Sequence, residues 1–251
     1  EAGKHIFVEK PMADTVEECD RMIAAARAHG VKLFTGHTEQ FLAPNVAARK
    51  LIASGEVGTP VLATDCWYKA FGVASRPPWF LDRSKGGGMW LMNGAHMVDR
   101  LTYLMAQPVV AVKAMVQTRF HQIAADDTAL AYLQFADGTA ATIAHTGYKD
   151  HPGAGVDHIG GEIIITCTEA QLKIVDRARL YRSVAGEKGG AWQEVDVERV
   201  DTTTAELRAL IHNIVNDEPE TVSVEQARHI VAVMAACEES SRTGREVLVH
   251  P

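Results

Sequence analysis

The first 36 residues constrain the fold most, because their pattern predicts a strand, a helix and a second strand in that order. The apolar run at 5–8 predicts a buried strand, and the mostly apolar run at 31–35 predicts another. Between them, Thr15 and Glu18 have the spacing of a capping box, which marks the start of a helix. Strands joined by one helix pair in parallel, with a right-handed connection. Since two parallel strands alone do not make a domain, we expect the remaining strands of this sheet upstream of Glu1.

Beyond residue 36 the pattern changes to long β segments. The strongest signal is a hairpin over 128–148 that turns at Asp137 and Gly138, since this dipeptide favours a tight two-residue turn. Other strands and helices follow from apolar periodicity and caps. The strands are predicted at 61–68, 109–120, 162–166, 172–176 and 179–184, and the helices at 45–54, after the glycines 86–88, and after caps at Thr203 and Ser223.

These patterns predict two domains of different class. Residues 1–36 form the end of a parallel α/β domain. Residues 37–251 form an α+β domain with a large, mainly antiparallel sheet flanked by helices.

Composition excludes several classes of function. The formal net charge of −7 over 251 residues leaves no basic surface in bulk, so nucleic acid is not an expected partner. No run approaches about 18 consecutive apolar residues, so no membrane span is expected. The four cysteines are far apart and lack the spacing of metal ligands. We therefore expect no metal site, a cytoplasmic location and reduced core thiols at Cys19, Cys66, Cys167 and Cys237.

The ends of the first two predicted strands contain the first candidate site, because ligands of open parallel sheets bind beyond the carboxyl ends of the strands. Lys10 follows the first strand, and His37 and Thr38 follow the second, so these residues should be neighbours. Pro11 fixes its own φ and keeps Lys10 out of the helical region, which holds an ammonium group at the crevice. The alternative is a solvated lysine at a strand end.

The segment GGGMWLMNGAHMVDRL, at 86–101, contains the second candidate site. Its three glycines let the backbone approach a ligand closely and leave the first amides of the following helix free. Asn93 and His96 lie three residues apart, so both can face one cleft. Asp99 lies three residues further on, where it can orient His96 or pair with Arg100. The alternative is a structural histidine on a helix.

Three stretches, taken in order, carry a family resemblance: AGKHIFVEKPMA at 2–13, the segment at 86–101, and SVEQARHIVAVMAACEESSRTGREV at 223–247. Together they resemble the glucose-fructose oxidoreductase / inositol dehydrogenase / MocA family of NAD(P)-dependent oxidoreductases. The resemblance implies a complete N-terminal Rossmann domain with a glycine-rich turn, of which residues 1–36 are a remnant. No G-x-G-x-x-G precedes Lys10, so binding of NAD or NADP is expected to need residues upstream of Glu1.

The resemblance also implies roles for single residues. Lys10 would lie beside the nicotinamide and hydrogen-bond the substrate oxygen, where it stabilises alkoxide charge as hydride leaves. His96, with a pKa near neutrality, would exchange a proton with that oxygen. The catalytic candidates are thus Lys10 and His96; the cofactor-binding candidates are Glu9, Lys10, Pro11 and Thr38, and the substrate-binding candidates are Asn93, Gln40 and Tyr68.

Two positions depart from the family pattern. Met92 stands where polyol dehydrogenases of the family carry an aspartate, four residues before the histidine, and Gln40 stands where an arginine is common. An amide at Asn93 cannot ionise, so it cannot raise the basicity of His96 as a carboxylate would. The expected substrate is therefore a different polyol, a sugar acid, a cyclic diol or an unsaturated ring.

The predicted function is that of an NAD(P)-dependent dehydrogenase or reductase, which moves a hydride between a nicotinamide cofactor and a hydroxyl or carbonyl of a sugar, polyol or cyclic diol. Without the N-terminal domain, the present chain is expected to be inactive. The alternative is a non-catalytic oligomerisation or ligand-binding module derived from the same family. In either case we expect a homodimer or homotetramer formed through the large sheet, whose outer face needs cover.

Overall fold

The computed structural model of the chain describes residues 2–149 and 158–250. Strands β1 (Ile6–Glu9) and β2 (Leu33–Gly36) pair in parallel and are joined by helix α1 (Val16–Ala28), as predicted. Thr15 accepts a hydrogen bond from the Glu18 amide, and the Glu18 side chain accepts one from the Thr15 amide. The predicted capping box is therefore confirmed.

Strand β1 is more exposed than its apolar sequence predicts. Ile6 is 45% exposed and Phe7 is 40% exposed, whereas all four residues of β2 are buried. The prediction of a buried first strand is wrong for this chain. The reason is that β1 pairs with β2 alone in the described part of the chain, so no third strand covers its other edge.

A nine-stranded sheet forms the body of the molecule. Its strands are β3 (Pro60–Ala70), β4 (Val109–Gln117), β5 (Thr128–Phe135), β6 (Ala140–Tyr148), β7 (His158–Cys167), β8 (Ala170–Val175), β9 (Arg179–Val184), β10 (Gln193–Val195) and β11 (Val247–Leu248). Their order across the sheet is β10-β9-β8-β7-β3-β6-β5-β4-β11. All neighbours are antiparallel except β3 and β6, which are parallel. The predicted mainly antiparallel sheet is confirmed.

Helices cover one face of this sheet and leave the other exposed. Helix α5 (Val224–Thr243) packs on β4, α3 (Ala95–Met105) on β3, and α2 (Ala43–Ala53) on β8 and β9. Their apolar side chains and the inner face of the sheet form the main core. On the opposite face, Leu62, Leu130 and Tyr132 remain exposed. The sheet is therefore half covered within the described residues.

Three details differ from the sequence prediction. Strands β10 and β11 were not predicted, because segments of three and two residues are too short to show the alternation of apolar and polar residues that marks a strand. Helix α4 (Thr202–Val215) is capped by Asp201, whose carboxylate accepts from the Thr204 amide, and not by Thr203. The cap of α5 at Ser223 is as predicted, with its hydroxyl accepting from the Gln226 amide.

The N-terminal half of α5 also packs against α1. Ala227 and Val231 of α5 share one apolar cluster with Cys19 and Ile23 of α1. Helix α5 therefore contacts both the small parallel pair and the large sheet, and this fixes the position of β1 relative to α3.

The cysteines are all free thiols; three are buried, and Cys66 is partly exposed. The expected core position is therefore confirmed for Cys19, Cys167 and Cys237 and is wrong for Cys66. Among residues 2–149 and 158–250, no helix has the length and the apolar content that crossing a membrane requires.

Candidate active site

The end of β1 meets the start of α3, and this brings the two catalytic candidates into one region. The ammonium of Lys10 donates a hydrogen bond to the carbonyl of Met92. Met92 lies in a π-helical turn, Trp90–Gly94, which continues directly into α3 and His96. Such turns widen the helix by one residue and are frequent at functional sites. The peptide bond between Lys10 and Pro11 is cis.

The glycines before α3 serve close packing within the protein. A Cβ on Gly87 would overlap the carbonyl of Phe80, and one on Gly88, at φ +111°, would overlap the carboxylate of Asp126. The other carboxylate oxygen of Asp126 accepts from the Trp90 amide at 2.7 Å. The expectation that these glycines leave helix amides free for a ligand is therefore wrong, because Asp126 and the Phe80 backbone occupy that space.

The turn itself also requires a glycine. A Cβ on Gly94 would lie 2.5 Å from the indole of Trp90, which is fully buried beneath the turn. Trp90 donates from Nε1 to the Met234 carbonyl of α5 at 3.2 Å. The backbone at Met92 is thereby held in a position where its carbonyl faces Lys10.

His96 lies in a largely buried, positively charged environment. Burial lowers the pKa of His96 well below its usual value, and the nearby Lys10 ammonium and Arg177 guanidinium lower it further. The expectation of a pKa near neutrality is wrong for this structure, because an imidazolium would be desolvated beside other cations. His96 is neutral at pH 7, and its lowered pKa makes it a weaker proton acceptor than an ordinary histidine. Its ring centroid lies 6.3 Å from that of Trp67.

Lys10 also has a shifted pKa. Burial lowers the pKa of Lys10 to about 8, while the carboxylates of Glu9 and Glu39 oppose the shift. The ammonium is therefore the major form at pH 7, and it loses its proton within the range in which enzymes operate.

A network of ion pairs packs against the ring of Trp67. Arg100, 2% exposed, donates two hydrogen bonds to Asp65 at 2.6 and 2.5 Å, and lies 3.4 Å from Glu39. Arg177 pairs with the other oxygen of Glu39 at 2.5 Å. Both guanidinium carbons lie just over 5 Å from the Trp67 ring centroid, Arg100 at 5.1 Å and Arg177 at 5.2 Å. Arg100 thus pairs with Asp65 and Glu39, and not with Asp99 as considered from the sequence.

Asp99 lies in a separate buried group with His37 and Gln40. Gln40 donates to Asp99 at 2.6 Å, and the second oxygen of Asp99 lies 3.8 Å from the Nδ1 atom of His37. Burial raises the pKa of Asp99 well above its usual value and lowers that of His37 to about 3. Asp99 therefore does not hydrogen-bond His96, and the expected orienting role is not seen.

Asn93 is held by a histidine of the sheet. Its amide nitrogen lies 3.0 Å from Nε2 of His145, and both side chains are buried. Burial, assisted by Lys69, lowers the pKa of His145 to about 3, so the neutral ring accepts the hydrogen bond from Asn93. His145 pairs in register with Trp67 across β6 and β3, which places both on the face that carries α3.

The remaining candidates fall into two groups. Glu9 ends β1, and Thr38 begins a 3₁₀ turn, Thr38–Phe41, directly after β2. Gln40, which is hydrogen-bonded to Asp99, lines a cavity of about 590 Å³ whose lining includes neither Lys10 nor His96. Tyr68 lies on the opposite face of the sheet, beside Cys66 and Tyr148, because side chains alternate along β3.

Sequence reasoning missed Glu39, Asp65 and Arg177, whereas the family resemblance places Trp67 and Lys69 where the substrate cleft would be. Lys69 lies on the same face of β3 as Trp67, with its Nζ atom 5.9 Å from the indole centroid. Glu39 follows a strand end, as Thr38 does, so the strand-end rule was able to find it. No signal pointed to Arg177, which lies in the turn after β8 at a φ of +56°.

Family models match most of the chain. One described as the GFO/IDH/MocA C-terminal domain matches residues 45–173, just over half of the chain. Another, described as an oxidoreductase family with an NAD-binding Rossmann fold, matches residues 1–37.

Individual relatives show how much of a longer protein the chain matches. A 1-carboxy-3-chloro-3,4-dihydroxycyclohexa-1,5-diene dehydrogenase from Comamonas testosteroni is 33% identical over 150 residues, which span 60% of this chain and 38% of that protein. Myo-inositol 2-dehydrogenase from Thermotoga maritima is 26% identical over 260 residues, covering 98% of this chain and 73% of that one.

The fold agrees with a solved relative. The crystal structure of an oxidoreductase domain protein from Kribbella flavida has a TM-score of 0.86 at 21% identity, covering all of this chain and 76% of that one. At this identity the similarity establishes the fold alone. With the matched family models, however, it leads to one conclusion: the chain belongs to the GFO/IDH/MocA family of oxidoreductases.

Proposed function

We propose that the chain forms the substrate-binding and catalytic part of an NAD(P)-dependent dehydrogenase or reductase. The reaction is hydride transfer between a nicotinamide cofactor and a hydroxyl or carbonyl of a sugar, polyol or cyclic diol. The observation that carries the proposal is the Lys10 ammonium bonded to the Met92 carbonyl, in the turn that leads into His96. The relatives named for myo-inositol and for a dihydroxycyclohexadiene support a small hydroxylated substrate.

Lys10 and His96 have different roles in such a reaction. The Lys10 ammonium donates a hydrogen bond to the substrate oxygen and stabilises the negative charge that develops on it. The neutral imidazole of His96 accepts the hydroxyl proton during oxidation and returns it during reduction. When bound, the nicotinamide supplies the acceptor or donor of the hydride.

The cofactor would be held at the carboxyl ends of β1 and β2. Glu9, Lys10, Pro11 and Thr38 lie there, at the edge where parallel sheets bind their ligands. These residues suit the nicotinamide end of NAD or NADP. No glycine-rich turn that would hold the pyrophosphate precedes Lys10 in residues 1–251.

The second candidate function, a non-catalytic assembly module, has one observation in its favour. Leu62, Leu130 and Tyr132 are exposed apolar residues on the outer face of the sheet. We propose that this face joins copies of the chain into a homodimer or homotetramer, which is compatible with catalysis as well. Free thiols throughout suit a cytoplasmic protein.

The enzyme proposal is tested with the full-length product of the coding sequence that contains this chain. Sugars, inositols and cyclic diols are screened with NAD and with NADP, following the absorbance of reduced nicotinamide. We expect turnover of at least one compound, and a loss of about 100-fold or more in Lys10→Ala, the scale of losing one transition-state donor. Lys50→Ala, an exposed lysine of α2, is the control. Near-normal turnover in Lys10→Ala would remove Lys10 from the mechanism.

A further inference from the structure

We propose that the substrate of this site carries a carboxylate, and that Lys69 and Arg177 bind it against Trp67. This inference rests on the proposed function, because it concerns the same site. It specifies the chemical class of the substrate, a carboxylated hydroxy compound, which the family assignment leaves open.

Cationic groups surround one indole ring at nearly equal distances. The Nζ atom of Lys69 lies 5.9 Å from the Trp67 ring centroid, and the guanidinium carbon of Arg177 lies 5.2 Å from it. The ring of His96 is centred 6.3 Å from the same indole. The apolar ring of Trp67 therefore has His96 near one part of it, and Lys69 and Arg177 near others, in addition to the paired Arg100.

The charges in this region do not balance. Asp65 and Glu39 offset Arg100 and Arg177, so those four charges cancel. Lys10 has Glu9 and Glu39 nearby. Lys69, in contrast, has no carboxylate within ion-pair distance among residues 2–149 and 158–250. Within those residues, one positive charge is thus left without a partner.

Hydrogen-bond donors are also left over. The Nε atom of Arg177 is buried and meets no acceptor in the described part of the chain. A buried donor without a partner is costly, and Arg offers its N–H groups in a planar fork that matches a carboxylate. An anion between Lys69 and Arg177 would satisfy both groups at once.

A neutral hydroxyl would not have the same effect. Burial, together with Arg76 and Arg177, lowers the pKa of Lys69, and Lys69 in turn contributes to the lowered pKa of Lys10. A bound carboxylate reverses this mutual repulsion, whereas a hydroxyl only accepts a hydrogen bond. This difference between a carboxylate and a hydroxyl favours binding of an acid over binding of a neutral polyol of the same shape.

The test compares matched pairs of probes that differ in a carboxylate. Quinate is compared with myo-inositol, and D-glucuronate with D-glucose, by isothermal titration of the full-length protein without cofactor. We expect the carboxylate of each pair to bind at least about tenfold more tightly. Lys69→Met should remove that preference, Lys69→Arg should retain it, and Lys50→Met, which loses the same charge elsewhere, should not change it.

Turnover with NAD or NADP separates this inference from the proposed function. Carboxylate binding that depends on Lys69, without turnover of any compound, would support the anion site and contradict the dehydrogenase. Turnover of neutral polyols, with an unchanged ratio of kcat/KM between acid and neutral compound in Lys69→Met, would overturn the anion site alone. Failure of both carboxylates to bind would also overturn it.

Discussion

At the scale of single residues, the buried guanidinium of Arg100 shows how charge is accommodated in this core. It is 2% exposed and its hydrogen bonds go to Asp65 and Glu39, which are themselves fully buried. Such groups are stable only together, because each one left alone would be an uncompensated charge in an apolar medium. The network also fixes the position of Trp67.

Replacing one member of this network should therefore be costly. We expect Arg100→Leu to lower the free energy of unfolding by about 3–5 kcal/mol, because Asp65 and Glu39 lose their main partner. Urea denaturation measures this, with Arg208→Leu, an exposed arginine of α4, as the control. The double variant Arg100→Leu/Asp65→Leu should recover part of the loss. Equal losses in the single and double variants would show that pairing is not the cause.

The pH profile of the enzyme belongs to the same scale. In the proposed mechanism Lys10, whose pKa is lowered to about 8, must be protonated to stabilise the substrate oxygen. We expect kcat/KM of the full-length enzyme to fall as pH rises through about 8, because the free enzyme then loses this proton. His96→Asn should lower the rate and keep this limb. If kcat/KM still falls near pH 8 in Lys10→Arg, the fall must come from the titration of another group.

At the scale of elements, the entry to α3 depends on one carboxylate. Asp126 accepts from the Trp90 amide, and its second oxygen is buried without a partner in the described residues. Burial raises the pKa of Asp126 to about 7. The folded protein therefore holds a proton on Asp126 over a range in which the unfolded chain has lost it.

This proton makes stability depend on pH in a defined direction. The folded pKa is about 7 and the ordinary value is 3.8, so the folded state binds more protons between these values and stability falls as pH rises through them. The loss amounts to about 4 kcal/mol in total. We expect Asp126→Asn to abolish this part of the pH dependence in urea denaturation at pH 4, 5.5 and 7. The exposed variant Asp196→Asn should keep the wild-type slope; an unchanged slope in Asp126→Asn would contradict the assignment.

At the scale of the whole molecule, two surfaces are left uncovered. One is the outer face of the large sheet, with Leu130 53% exposed beside Tyr132. The other is β1, with Ile6 and Phe7 exposed on a two-stranded sheet. Apolar surface of this kind marks interaction sites in soluble proteins.

The first surface leads to a prediction about assembly. We expect Leu130→Glu to shift the full-length protein from dimer or tetramer toward monomer, because a carboxylate would be buried unpaired in the interface. Light scattering after size-exclusion chromatography measures the mass. Val200→Glu, an exposed valine outside the sheet, is the control. An assembly unchanged by Leu130→Glu would exclude this part of the sheet.

The second surface leads to a prediction about the cofactor. Residues 1–251 supply the strand ends at Glu9 and Thr38 but no glycine-rich turn before Lys10. We expect isothermal titration of this chain with NAD and NADP to show no tight binding, because residues 1–251 contain no such turn to hold the pyrophosphate. Submicromolar affinity would mean that these residues hold the cofactor by themselves.

Much of the fold could be predicted because local signals agreed with the final structure. The Asp137-Gly138 turn fixed a hairpin, and the Thr15 box fixed a helix start. The parallel pairing of β3 and β6 could not be predicted, because the alternation of apolar and polar residues along a strand does not show which strands it pairs with.

The candidate site was predictable to a similar extent. The strand-end rule and the family resemblance pointed to Lys10 and His96. Neither signal could reveal Arg177, whose relevance comes from the long-range pairing that surrounds Trp67.

Strand β3 has a consequence for how the chain reaches its native state. Its partners, β6 on one side and β7 on the other, are both distant along the chain, whereas β4–β6 and β7–β9 are joined by short connections. Closing a long loop costs entropy, and only the completed strand pairing offsets this cost. We therefore expect the strands β4–β6 and the strands β7–β9 to pair early, and β3 to insert between β6 and β7 late. Trp67 and Lys69 lie on β3, so we expect the arrangement of charged side chains around Trp67 to form only in the last step of folding.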